Sequence, residues 1–114
     1  MTITATSDVL TERGEELRSQ GQINEDLGKL SDTTVDILRQ SGVMKLLAPV
    51  EYGGTRAHPV EFAETVMRIA SLDGAAGWVS GVVGVHPWEL EIMSPKLQEE
   101  IWGADQDTWV SSPY

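Results

Sequence analysis

The segment DGAAGWVSGVVGVHPW, from Asp73 to Trp88, spends four glycines, Gly74, Gly77, Gly81 and Gly84, inside an otherwise apolar run. Spacings of three, four and three put all four on one side of an α-helix, within an arc of roughly 80° at about 100° per residue. Each glycine in a helix interior costs about 1 kcal/mol relative to alanine. A helix keeping a bare face at that cost must use it, for the close approach of another backbone or of a flat ligand. The rest of the circumference is Ala75, Ala76, Val79, Val82 and Val83, with Ser80 the only hydroxyl. A helix apolar all round is expected to be buried at the centre of its domain. Trp78 and Val85 flank the glycine arc; Trp78 either fills the core or edges a pocket for a planar ring, and periodicity leaves both open.

The surrounding sequence reads as further helices. Residues 1–7 are expected to be a frayed tail, followed by a helix from Asp8 to about Gln20 with Leu10 and Leu17 on one face. The stretch holding Ile23, Leu27 and Leu30 is interrupted by Gly21 and Gly28. Ser31 is a good N-cap for DTTVDILRQS, and Gly42 suits its C-terminal stop. GVMKLLAPVEYGG closes on Pro49 and a Gly53-Gly54 turn. Pro59 fits the first position of a helix running to about Leu72, with Glu61 at its positive end and Phe62, Val66 and Ile69 on its buried stripe. Pro87 is expected to end or kink the glycine helix. Ser94-Pro95 opens a helix that Gly103 closes. Only TWVSSPY reads as a strand, and a lone strand lacks a partner for its backbone groups. The fold class expected is therefore all-α, with the start of a β domain at the C-terminus.

At 114 residues the chain suits one domain. A net charge of −10 disfavours nucleic acid. No cysteine is present, so disulfides and thiolate metal sites are excluded. The N-terminus lacks the basic start and apolar core of a signal peptide, and the glycine stretch is too short and interrupted to span a membrane, which makes a cytoplasmic location the expectation. His58 and His86 are the only histidines and lack ligand spacing, so no metal site is expected. Glu99 and Glu100 are adjacent and read as a solvated helix face. His86, beside Pro87, either caps a carbonyl freed by the proline or hydrogen-bonds a substrate. No catalytic residue is assigned within the chain.

Three segments carry a resemblance. SGVMKLLAPVEYGG, ETVMRIASLDGAAGW and KLQEEIWG, in this order, resemble the N-terminal helical domain of the acyl-CoA dehydrogenase fold, with Pro49 to Gly54 its most specific element. GWVSGVVGVHPWEL and WVSSPY are similar to the oxygenase component of two-component flavin-dependent aromatic hydroxylases, and within them to the branch acting on steroid-derived phenols. The chain departs from that pattern at Gly81, where a serine stands, and at Glu89, where a histidine is often found. The resemblance implies residues 1–30 as a tail and first helices, 31–106 as the helical domain and 107–114 as the first residues of a β domain. It implies a tetrameric monooxygenase that uses reduced flavin (FMN or FAD) from a separate flavin reductase, and O2, to hydroxylate an aromatic small molecule. Carried over by position, Trp78, Ser112, Pro113 and Tyr114 contact flavin, while Gly81, Val82 and His86 border the substrate. An acyl-CoA dehydrogenase and a non-catalytic helical interaction module are the alternative readings.

Overall fold

Capping side chains decide where the helices begin. The computed structural model describes residues 1–111. Among them lie α1 (Ile3–Ser19), α2 (Gly21–Leu27), α3 (Asp32–Ser41), α4 (Pro59–Leu72), α5 (Gly74–Gly84), α6 (His86–Glu91) and α7 (Pro95–Trp102). The side chains of Thr2, Ser31, Asp73 and Ser94 accept the amides of Ala5, Thr34, Ala76 and Leu97 at 3.0–3.2 Å. Each satisfies an N–H that a helix start otherwise leaves without a partner. His58 Nδ1 accepts the Val60 amide at 3.1 Å, and the Glu61 carboxylate accepts the His58 amide at 3.2 Å. His58 is thus the cap of α4, a role that its residue type did not announce.

The first seven residues are not a frayed tail. Helix α1 starts at Ile3, and Arg68 of α4 donates to the Ser7 carbonyl at 3.3 Å, the Ser7 hydroxyl at 2.8 Å and the Thr11 hydroxyl at 2.8 Å. These long-range bonds pin the first two turns, which local propensity alone would leave loose. Leu10 and Leu17 of α1 join Ile37 and Leu38 of α3, Leu46 of the connecting turns and Ile69 of α4 in one buried cluster. The connection from α3 to α4 runs through two 3₁₀ turns, Val43–Lys45 and Val50–Tyr52. Gly53 leaves the second at φ 79°, a left-handed conformation that glycine adopts without strain.

Helix α5 lies against α4, and this contact explains the glycines. A Cβ on Gly77 would stand 2.4 Å from Ala70 Cβ and 2.5 Å from Ala70 Cα; one on Gly84 would stand 2.7 Å from the Phe62 ring. Gly81 is less constrained, its added Cβ meeting Val66 Cγ1 at 3.5 Å, and Gly74 faces open space. The bare face serves a neighbouring helix. The expectation of a fully buried helix is corrected: Ala76, Gly77, Ser80 and Gly84 are buried, but Trp78 is 75% exposed and Val79, Val82 and Val83 are only half-buried. One side of α5 packs on α4 and the first half of the chain, and the other remains open.

No strand forms among the described residues. Residues 105–111 follow an irregular path, with the Arg39 guanidinium 4.2 Å over the Trp109 ring and donating to the Asp107 carbonyl at 2.9 Å. Lys45 donates to the carbonyls of Tyr52 and Gln106. Its burial pushes its pKa down, against the opposing pull of Asp107 and Asp105. Cations, rather than a sheet partner, take up these carbonyls. The strand expected over TWVSSPY is absent at Thr108–Ser111, and its last three residues lie outside the described range.

Alanine substitutions along the glycine arc are expected to separate by position. Gly77→Ala collides with backbone and should destabilise by about 1–3 kcal/mol. Gly81→Ala gains helix propensity at ordinary contact distance and should be neutral or stabilising by up to about 1 kcal/mol. Urea unfolding of the two variants checks this ordering.

Candidate functional site

The contact that closes α4 onto α5 along Gly77 and Gly84 leaves a groove between the two helices further out. Its volume is about 750 Å³. Phe62, Val66 and Ala70 of α4 line one side; Trp78 and Val82 of α5 and Val85 just past its end line the other, with Gly74, Gly77 and Gly81 between them. Every lining residue is apolar and none carries a charge. A surface of this kind holds a flat hydrophobic body by area and dispersion and gives it no fixed polar anchor.

Trp78 belongs to two cavities. A second one, of about 460 Å³, lies between α2 and α5, where Asn24, Lys29, Leu30, Asp73 and Val79 share its lining with Trp78. The indole therefore stands as a partition between an uncharged groove and a polar one. With 75% of its surface exposed, it does not fill the core of this domain.

Of the residues expected at a site, Trp78, Gly81 and Val82 come together in the groove. His86 does not line it. The helix stops at Val85, and α6 restarts at His86 with Pro87 in its first turn, where a missing amide costs nothing. The His86 ring is 4% exposed, with Nδ1 3.6 Å from the Glu89 carboxylate one turn on. Ser112, Pro113 and Tyr114 lie outside the described residues. Sequence reasoning missed the contribution of α4: Phe62 and Val66 were legible as part of a buried stripe with Ile69, but nothing in their spacing says which helix they meet, and Ala70 joins them in the groove. Pairing that stripe with the glycine arc is the signal that would have found them. No group of three or more acidic, histidine or cysteine side chains that could hold a metal occurs among the described residues, and no helix among them is long and apolar enough to cross a membrane.

Similarity to known proteins bears on what this groove belongs to. The chain is 51% identical over 100 residues to a pigment production hydroxylase of Rhodococcus erythropolis, covering 88% of the chain and 25% of that protein. It is 44% identical over 99 residues to the flavin-dependent monooxygenase oxygenase subunit HsaA of Mycobacterium tuberculosis, covering 87% and 25%. The fold superposes on the crystal structure of the HsaA monooxygenase from M. tuberculosis with a TM-score of 0.94 at 38% identity, over 100% of this chain and 31% of that one. The chain is homologous to the N-terminal part of the oxygenase subunits of two-component flavin-dependent aromatic hydroxylases. The 3-HSA hydroxylase from Rhodococcus sp. RHA1 agrees, with a TM-score of 0.92 at 39% identity over 96% of this chain and 28% of that one. More distant relatives include the p-hydroxyphenylacetate 3-hydroxylase oxygenase component of Acinetobacter baumannii, 27% identical over 77% of the chain and 21% of that protein. No family model matches. The chain spans about a quarter of the length of the curated relatives it matches.

Because the Trp78 side chain lies mostly in solvent within this domain, Trp78→Phe is expected to leave stability within about 0.5 kcal/mol of the parent. A thermal midpoint lowered as far as by a core truncation would instead return Trp78 to a packing role.

Proposed function

We propose that this chain forms the N-terminal helical domain, of acyl-CoA dehydrogenase type, of a monooxygenase oxygenase component that hydroxylates a phenolic or steroid-derived aromatic with reduced flavin and O2. The observation carrying this reading is the uncharged α4–α5 groove with the exposed Trp78 at its edge. Residues 107–114 would begin a β domain, and the whole subunit would assemble as a tetramer supplied with FMN or FAD by a separate reductase, in the cytoplasm.

The residues present fit one part of a flavin. A planar ring system suits an apolar groove of about 750 Å³ beside an indole. The flavin phosphate does not suit it, because no lining residue is cationic. In this reading Trp78, with the Ser112–Tyr114 segment, contacts the ring, and the phosphate is held by other parts of the subunit. Reduced flavin, when bound, supplies the electrons for oxygen activation. The chain's contribution is exclusion of water: Phe62, Val66, Val82 and Val85 offer a reacting centre no hydrogen-bonding group. Gly81 and Val82 border the substrate, followed by His86 one residue beyond Val85. The His86 ring is buried outside the groove lining, with Nδ1 3.6 Å from the Glu89 carboxylate.

The test is Trp78→Phe in the oxygenase subunit. Weaker reduced-flavin binding, or a several-fold rise in hydrogen peroxide released per hydroxylated product, is expected with an unchanged thermal midpoint. Unchanged flavin affinity and an unchanged product ratio would remove Trp78 from the site.

A further inference from the structure

We infer that Asn24, on a different helix and outside the groove, is the positioning residue for Trp78, acting through Asp73. Its functional consequence rests on the reading of Trp78 given above. Asn24 is 3% exposed and uses both ends of its amide. Nδ2 donates to Asp73 Oδ2 at 3.0 Å; Oδ1 accepts the Ser31 amide at 2.7 Å and the Thr34 hydroxyl at 3.2 Å. Asp73 Oδ2 accepts in turn the Ala76 amide at 3.0 Å, the cap that starts α5. One buried amide thus joins α2 to the caps of both α3 and α5.

The chemistry at both positions is restrictive. Asp73 Oδ2 takes two N–H donors, so it must remain an acceptor. Residue 24 must donate to it while accepting from Ser31 and Thr34, which an amide does and a carboxylate cannot. Gly21 sits alongside, where an added Cβ would meet Asp73 Oδ1 at 3.4 Å.

The first two residues of α5 make no packing contact of their own before Ala76 and Gly77 turn into the core. Gly74 has nothing near the place of a Cβ, and Ala75 is exposed. Trp78 follows one turn later and is itself mostly exposed, so side-chain packing does not fix its direction. Its direction follows from the phase of the helix that carries it, which the Asp73 cap sets at the start of the helix and the burial of Ala76 and Gly77 holds one residue before the indole. Asn24, Asp73 and Trp78 also line the same cavity between α2 and α5.

Asn24→Asp keeps the shape, loses the donor and faces one carboxylate with another. The comparison is Ile37→Val, a fully buried α3 position that does not line the groove, measured at a temperature giving the same fraction folded. In the 114-residue chain, the Trp78 indole N–H resonance, assigned by its loss in Trp78→Phe, is expected to shift in Asn24→Asp and stay in place in Ile37→Val. In the oxygenase subunit, Asn24→Asp is expected to weaken reduced-flavin binding by about tenfold, as a small misplacement of a contact group does. Should Asn24→Asp fail to fold, Thr34→Val removes one donor to the same amide and should act in the same direction more weakly. An indole resonance that moves no further than in Ile37→Val overturns the inference. Unaltered flavin affinity in Trp78→Phe would overturn the reading of the groove instead, and the indole resonance would still decide whether Asn24 positions Trp78.

Discussion

The contact of Gly77 with Ala70, where an added Cβ would come within 2.4 Å, sets the distance between α4 and α5, and with it the shape of everything built on that pair. Two helices at this range exclude side chains from the line of contact and push them to its flanks. Phe62 and Val66 on α4, Trp78 and Val82 on α5, and Val85 at its C-cap are the flanking residues, so the groove is a by-product of the close approach. The helix-propensity cost of a glycine, about 1 kcal/mol, is smaller than the cost of forcing a methyl into a backbone contact. Glycine is therefore the cheaper choice at 77 and 84. At 74 and 81 the packing does not require it, and those two widen the space along the groove instead.

Much of the fold was legible because it is written in local chemistry. Ser31 with Gly42, Pro59 with Glu61, and Ser94-Pro95 with Gly103 bracket helices at the residues observed. What escaped was set by distant partners. The start of α1 depends on Arg68, sixty-one residues from Ser7, and α2 is held by Asn24 reaching Asp73, forty-nine residues away. Neither bond leaves a periodic trace. The candidate site was half legible for the same reason. Glycine spacing marked the α5 side, but the α4 side became part of a site only through the pairing, and His86, placed near the pocket by its neighbours in sequence, was turned inward when Pro87 broke the helix.

The two possible uses of the glycine face, a neighbouring helix or a ligand, turn out to be successive parts of one arrangement. Alanine-sized contacts bring α4 in at Gly77; the same helix then diverges enough to leave a groove that no side chain of the described residues fills. Large apolar residues stand exposed along this side of the sequence: Met67 at 70%, Trp78 at 75%, Trp88 at 52% and Ile92 at 87%. Isolated apolar residues on a surface need no explanation, and of these four only Trp78 lines the groove. The acidic residues run along the whole chain. Asp8, Glu12, Glu15, Glu16, Glu25 and Asp26 stand exposed on α1 and α2, and the others follow after them. A chain carrying −10 overall keeps its groove free of charge altogether. Glu61, Glu64 and Arg68 of α4 and Glu89 and Glu91 of α6 all lie outside its lining, so desolvating the groove itself costs little, the condition under which a planar ring can close over Trp78.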